Sequence, residues 1–349
     1  MAPKRKSVND NELPSPGKLS KELCAIVSDR YSRAEAMCAL GNLMKWTGKY
    51  DPVFLKYFDI HGGVAKVLDF LKATMKDESC VRPIRMECIR KGALVIMYVC
   101  YKGQDDCNTE ITSKIVSSLM DYDGMCILTN ASKEYSGGDD LSQLFALVAV
   151  WGALSVIITN HSYAMKNTVS NNQSIILFDT GIEILVHLKL YDGQLVSCIL
   201  VSVFCTLVHL VFCNYLERKQ FQDKNILSTC LDVFRKDGIW CDRGEEVTSA
   251  AFQFFNCCRD RNLLDRGADY ELLLPFLEVC LEIFVSHQHY DNLSDALGLI
   301  YGACGNSSNK KTIERLGIVE YLRVMLASND VNEEWKDTIR YVIAKITAP

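Results

Sequence analysis

Hydrophobic positions recur with a helical period along almost the whole chain. A small residue followed by apolar residues at helical spacing is succeeded by a polar stretch, then by glycine and a second amphipathic segment. The clearest copies start with residues 39–43, 151–157 and 296–300 and reach their glycines at Gly62, Gly181 and Gly317. The small residue lets a neighbouring helix approach closely, and the apolar residues lie on the same face of the helix. This pattern therefore predicts stacked helices joined by glycine turns.

Weaker copies extend the pattern to about six repeats. Their first segments cover residues 93–97, 203–207 and 251–255, and successive copies lie 45 to 60 residues apart. A repeat of two or three helices usually spans about 40–47 residues, so the longer spacings predict polar insertions. We place these insertions at residues 103–110, 134–140 and 163–174.

Residues that interrupt helices or form hairpins are scarce. Only Pro52, Pro83 and Pro275 fall within the body of the chain, and no Asn-Gly or Gly-Gly pair lies between alternating hydrophobics. Long helices can therefore form almost anywhere, while strands are not favoured. The expected fold class is all-α.

The repeat resembles that of the armadillo family. Residues 39–43 are similar to its Ala-Leu-x-Asn-Leu stretch, and residues 151–157 resemble its Trp-x-x-Leu-x-Asn-Ile stretch, with Val156 in place of the asparagine. HEAT-type repeats give a similar pattern and remain an alternative. The resemblance covers about residues 19–347 and implies a right-handed α–α superhelix, an armadillo-like solenoid of about six irregular repeats, over residues 18–349.

The two ends differ from the repeats. Residues 1–17 are polar and contain Lys4-Arg5-Lys6, which predicts a disordered tail; three basic residues are too few to separate a nuclear signal from chance. Residues 332–347 predict a capping helix. One face of that helix carries an apolar stripe and the other is charged, as a terminal repeat requires; the stripe consists of Trp335, Ile339, Val342, Ile343 and Ile346.

Charge and cysteine usage limit the partners and the compartment. The net charge of −5 gives no support for nucleic-acid binding. Most of the 16 cysteines lie within apolar helical segments, where a free thiol behaves as a small hydrophobe, and the first residues lack the apolar core of a signal peptide. We therefore expect a cytoplasmic protein, with the nucleus as the alternative.

No arrangement of residues predicts catalysis, a cofactor or a metal. His61-Gly62-Gly63 resembles an esterase loop, but no Gly-x-Ser-x-Gly motif follows it, and an inter-helix turn explains the glycines. Cys257 and Cys258 are adjacent within a predicted helix, so their side chains diverge. We accordingly expect no enzymatic activity and no bound cofactor.

Two uncharged segments keep a membrane-associated protein open as the alternative. Residues 195–213 and 141–165 contain no Asp, Glu, Lys or Arg, and nineteen helical residues rise roughly 28 Å, enough to cross a bilayer core. Both segments coincide with the repeat pattern and contain polar residues such as Ser202 and Thr206. Central helices of a soluble solenoid are also apolar on all sides, and we favour that interpretation.

The favoured function is an interaction module or scaffold that binds partner proteins or peptides. In the armadillo family, asparagines on the third helices hold an extended ligand. Here only Asn42 matches, whereas Ile96, Val156, Phe254 and Leu299 occupy its counterparts, so capture like that of import receptors or catenins is in doubt. Polar and aromatic residues trailing the repeats are the candidate contacts, although each could instead pack between repeats: Asn42, Lys45, Trp46, Tyr98, Tyr101 and Tyr301.

Overall fold

The structure is a computed structural model that describes residues 14–27, 32–48, 51–101, 109–135, 140–168, 171–213, 218–288 and 290–348. Over these residues the chain is helical apart from one two-stranded antiparallel sheet, which confirms the all-α prediction. The helices are α1 (Pro16–Val27), α2 (Arg33–Thr47), α3 (Pro52–Ile60), α4 (Gly63–Lys76), α5 (Arg82–Cys100), α6 (Thr109–Asp121), α7 (Gly124–Ser132), α8 (Leu141–Thr168), α9 (Asn171–Leu188), α10 (Gln194–Phe212), α11 (Arg218–Asp223), α12 (Ile226–Asp232), α13 (Glu245–Asp260), α14 (Ala268–His287), α15 (Leu293–Ala303), α16 (Ser307–Arg315), α17 (Ile318–Ala327) and α18 (Glu333–Thr347).

The chain divides into two compact units. The first unit comprises Met1–Tyr135 with Asp140–Thr168, and the second comprises Ser136–Asp139 with Val169–Pro349. Of the predicted tail, residues 1–17, the first thirteen lie outside the described part of the chain. Helix α1 begins at Pro16, so the last two residues of the predicted tail are helical. Proline suits this position because the first turn of a helix needs no N–H donor.

Helices three apart in the chain pack side by side in the first unit. One row runs α2–α5–α8, and a second row runs α1–α4–α7. We call the helices of the first of these rows the first-row helices. They carry Ala39, Ala93 and Ala153, the small residues of the sequence repeat, and all three are completely buried. The small side chains thus lie in the interior, as the pattern predicts.

The second unit also contains two rows of helices, whose successive members are two or three apart in the chain. Its first-row helices are α10, α13, α15 and α18, each packed on the next, and α9, α12, α14 and α17 form the second row. Val203, Ala251 and Ala296 are completely buried on α10, α13 and α15. Helix α18 is N-capped by Asn332, and its Ile339, Val342 and Ile346 are buried.

Four second-row helices begin directly after a residue in the left-handed conformation. Gly62 (φ 65°) precedes α4 and Gly317 (φ 68°) precedes α17, which confirms those two predicted turns. Asp123 (φ 55°) and Asn225 (φ 49°) have the same role before α7 and α12. Short polar side chains tolerate this region of backbone space, so the turn does not require glycine.

The turn predicted at Gly181 is wrong. This glycine lies inside α9, where the Thr180 hydroxyl donates to the Ile176 carbonyl at 2.8 Å. Glycine permits a left-handed turn without enforcing one. Buried apolar residues on both sides, Leu177 and Leu185, hold the helix against its neighbours.

Other predicted loops were also assigned wrongly. The insertion predicted at residues 163–174 is helical over the parts that belong to α8 and α9, and it contains no proline or glycine that would end a helix. The predicted insertions at 103–110 and 134–140 fall largely outside the described residues.

A hairpin that we did not predict pairs strand β1 (Arg235–Lys236) with β2 (Ile239–Trp240) around Asp237-Gly238, which are both at positive φ. Asp-Gly is a preferred pair for such turns.

Arginines at or near the start of three first-row helices form ion pairs with acidic residues in the segments between helices. In the first unit Arg33 pairs with Asp77, the C-cap residue of α4, and Arg85 pairs at 3.2 Å with Glu134, two residues after the end of α7. In the second unit Arg243, just before α13, pairs with Asp192, just before α10. These polar links fix the ends of helices whose middles pack by apolar contact.

The cysteines provide a test of which helix faces are buried. All fifteen described cysteines are free, and burial raises the pKa of Cys100 to about 12 and the pKa of Cys230 and Cys258 strongly. Because the thiolate is the reactive form, iodoacetamide is expected to modify the exposed Cys24, Cys38 and Cys198 long before those three. Peptide mass mapping after brief labelling measures the order; early modification of Cys100, Cys230 or Cys258 would contradict the packing.

Candidate partner-binding surface

The three candidate residues on α2 have different surroundings. The Asn42 amide donates to Glu22 at 2.9 Å, so its hydrogen-bonding capacity is partly used within the unit. Lys45 is exposed. Trp46 is only 7% exposed, its ring lies 6.3 Å from that of Phe54, and the Lys18 ammonium covers it at 5.2 Å. Trp46 therefore packs within the unit, which is the alternative that the sequence left open for it, and it offers little surface to a partner.

The two candidates on α5 lie at its carboxyl end. Tyr98 is half-buried, whereas Tyr101 is 41% exposed and occupies the C-cap position, where its N–H donates to the Tyr98 carbonyl. These two tyrosines and Lys45 belong to the first unit. Tyr301 belongs to the second unit, where the structure reveals neighbours that the sequence did not predict.

Tyr301 and Tyr341 form an exposed stacked pair. Tyr301 lies on α15 and Tyr341 on α18, which are adjacent first-row helices. Their ring centroids are 5.5 Å apart with planes inclined by 26°, and the hydroxyl oxygens are 3.4 Å apart. The two residues are 40% and 59% exposed. Two aromatic rings thus present their surfaces to solvent while they stack on each other.

A pocket of about 300 Å³ opens beside the pair, and Tyr301 is part of its wall. We call it the basic pocket because three of its lining residues are cationic and none is acidic. It is lined by Arg259, Asn262, Leu264, Arg266, Tyr270, Tyr301, Gly302, Gly305 and Lys345. These residues come from the carboxyl end of α13 and the following turn, from α14, from α15 and its end, and from α18. The end of a row of helices thereby becomes a concave, positively charged site.

Two glycines on α15, Gly298 and Gly302, leave the space that two residues of the pocket wall, Arg259 and Tyr270, occupy. A Cβ atom on Gly298 would lie 2.6 Å from a terminal nitrogen of Arg259, and one on Gly302 would lie 3.0 Å from the Arg259 Cδ and would overlap the Tyr270 hydroxyl. The two glycines are one helical turn apart, so they leave a groove along the α15 backbone. Arg259 lies in this groove, and the Tyr270 hydroxyl fills its end.

Tyr270 places a neutral hydroxyl in the wall of the pocket. Its side chain is almost completely buried at 3% exposure, and burial raises its pKa, so the phenol keeps its proton at neutral pH. Within the described residues this hydroxyl makes no hydrogen bond. Polar groups on buried side chains generally have a partner, and Tyr270 is one of the residues that line the pocket.

The cations of the pocket are only partly neutralised. The Arg259 guanidinium donates to Asp260 at 2.9 Å and forms an ion pair with it. Arg266 and Lys345 are exposed, and neither has an ion pair in the part of the chain that the structure describes. An excess of positive charge therefore remains at the pocket, although the whole chain is negative at −5.

The glycine groove can be tested by filling it. Gly302→Ala is expected to lower the free energy of unfolding by about 1–3 kcal/mol, because the added methyl overlaps the hydroxyl of the buried Tyr270. Gly305→Ala is the matched control, since a Cβ there would lie 3.7 Å from the nearest atom, an ordinary contact. Chemical denaturation of both variants measures the difference, and equal stabilities would show that Tyr270 is not held against α15.

Sequence reasoning identified one member of this surface. Tyr341 was missed, although its position off the apolar stripe of the predicted capping helix was a signal of exposure. Arg259, Arg266 and Tyr270 gave no sequence signal, because they converge only when four helices pack. Elsewhere, no group of three or more His, Cys, Asp or Glu residues that could hold a metal occurs among the described residues.

Comparisons with known proteins leave the function to be inferred from the chain itself. No family model and no curated protein matches it. One similar solved structure is that of an engineered protein from the Northeast Structural Genomics Consortium, which is 13% identical over 94% of this chain and 96% of its own, with a TM-score of 0.45. At that similarity the match carries no argument about this chain.

Proposed function

We propose that the chain is a non-enzymatic interaction module, an armadillo-type solenoid that binds partner proteins or peptides along its first-row helices. The observation that carries the proposal is the exposed Tyr301–Tyr341 pair beside the basic pocket. Tyrosine offers a large apolar surface together with a polar group at low conformational cost, which suits binding. A concave pocket next to it can anchor a side chain of the partner.

Several further features support the solenoid and its compartment. Two rows of helices, three apart in the chain in the first unit and two or three apart in the second, occur in both units, and left-handed residues precede second-row helices of each; this supports stacked repeats of two or three helices. The fifteen free cysteines among the described residues suit a reducing compartment, either the cytoplasm or the nucleus. A net charge of −5 disfavours nucleic acid as the partner.

Quantitative affinity capture tests the proposal. The full chain and a Tyr301→Ala/Tyr341→Ala variant are immobilised and the bound proteins compared by mass spectrometry. A Tyr122→Ala variant is the control, because Tyr122 is 48% exposed and lies in the first unit. We expect a set of proteins bound by the wild type and the control to be lost with the double variant. Identical sets from all three would exclude the tyrosine pair as the binding surface.

Membrane association is the second candidate, favoured by two helices. The segments Leu141–Thr159 and Gln194–Phe212 are long and apolar enough to cross a bilayer, although 61% and 50% of their most apolar windows are buried inside the protein. Both belong to first-row helices packed on neighbours, α8 on α5 and α10 on α13. Fractionation without detergent separates the candidates: membrane recovery resistant to salt and alkaline washing would favour this one.

A further inference from the structure

We propose that the basic pocket receives the phosphate group of a phosphorylated serine or threonine in a partner segment that lies across the Tyr301–Tyr341 pair. This inference rests on the proposed function, because it identifies the chemistry of the partner at the same surface. Tyr301 is shared by the pair and the pocket wall. A segment whose side chain enters the pocket can therefore contact the tyrosine rings at the same time.

The charge of the pocket matches a phosphate group. Arg259, Arg266 and Lys345 contribute three positive charges to the lining, which contains no acidic residue; Asp260 pairs with Arg259, and Asp295 also acts on Arg259 from outside the lining. The positive charge of Arg266 and Lys345 complements a phosphomonoester, which carries about −1.5 to −2 at neutral pH. A single glutamate or aspartate in the partner carries less negative charge than a phosphate group.

The hydrogen-bond donors also suit a phosphate. Arginine presents a planar set of N–H groups that fits phosphate oxygens, and Lys345 adds an ammonium group. Tyr270 is only 3% exposed and lines the pocket, and its hydroxyl makes no hydrogen bond within the described residues, so a phosphate oxygen in the pocket would give it a partner. This hydroxyl is the observation that points to a ligand rather than to a solvated cluster of surface cations.

Part of this donor set is held in place before any ligand binds. Arg259 lies along the α15 groove at Gly298 and Gly302, and Tyr270 is fixed by burial against Gly302. A donor that is already ordered loses less conformational entropy on binding than a freely rotating side chain. Arg266 and Lys345 are exposed and supply the other two cations of the site.

Peptide binding to the full chain tests this inference. The probe is a degenerate mixture of short peptides with a fixed central phosphoserine. Matched mixtures carry serine or glutamate at the same position, and fluorescence anisotropy measures competition for a selected phosphopeptide. Arg266→Gln/Lys345→Gln removes two pocket cations. Lys311→Gln/Arg315→Gln, on the exposed side of α16 and outside the pocket wall, removes the same charges as a control.

We expect the phosphoserine mixture to bind at least about tenfold more tightly than either other mixture. We also expect the pocket variant, but not the α16 control, to abolish that preference while thermal unfolding stays unchanged. Equal binding of the three mixtures, or equal loss in both double variants, would overturn the inference. If serine peptides bind as well as phosphoserine peptides but lose binding with Tyr301→Ala/Tyr341→Ala, the phosphate site fails while the proposed function stands.

Discussion

Leu322→Asp is expected to lower the free energy of unfolding by roughly 4 kcal/mol or more, or to unfold the last repeat altogether. Leu322 is completely buried on α17, which packs on α14, α16 and α18. The substitution removes an apolar side chain from this interface and places there a carboxylate without a partner. A carboxylate in an apolar interior either unfolds the surrounding structure or takes up a proton.

Val324→Asp is the matched control for this prediction. Val324 lies two residues further along the same helix and is 52% exposed, so the same charge there stays in water. Its expected effect is within about 0.5 kcal/mol of zero. Urea unfolding followed by circular dichroism compares both variants with the wild type. Similar losses for the two would show that α17 does not present Leu322 to the interior.

Arg243→Met is expected to lower the free energy of unfolding by about 3–5 kcal/mol. The Arg243 side chain is 4% exposed, and it donates to the carbonyls of Val233, at 2.7 Å, Tyr191, at 2.5 Å, and Lys189, as well as to the Asp192 carboxylate. Methionine preserves most of the volume but donates no hydrogen bond. The three carbonyl groups, which follow α9 and α12, would then lose the hydrogen bonds that the Arg243 guanidinium donates to them.

Arg315→Met is the control for the arginine prediction, since Arg315 is exposed on α16 and no ion pair is recorded for it among the described residues. Its loss is expected to change stability by less than about 0.5 kcal/mol. Thermal unfolding of both variants gives the comparison. A wild-type melting temperature for Arg243→Met would contradict the view that this arginine joins the ends of the two rows.

The buried part of the repeat was predictable because it follows from periodicity alone. Small residues such as Ala39, Ala93 and Ala296 sit on apolar helices in the sequence and are completely buried in the structure. The turns were predictable only where glycine marks them. Asp123 and Asn225 make the same left-handed turn, and polar residues of that kind also occur throughout ordinary loops, so their role is not distinguishable from sequence.

The binding surface was less predictable because it depends on which side chains pack together. Trp46 and Tyr301 occupy similar places in the sequence pattern, yet Trp46 is covered by Phe54 and Lys18 while Tyr301 is exposed beside Tyr341. The basic pocket combines residues from 259 to 345, and their convergence is set by the packing of helices. An expectation based on one helix at a time cannot contain that information.

The most direct test of the proposed binding surface is site-specific photocrosslinking. A photoreactive phenylalanine analogue replaces Tyr301, Tyr341 or, as a control on α17, the exposed Val324, and crosslinked proteins are identified in cells that express the full chain. We predict that positions 301 and 341 crosslink to the same partner proteins, and that position 324 does not. No adducts at 301 and 341, or the same adducts at all three positions, would contradict the assignment of this surface.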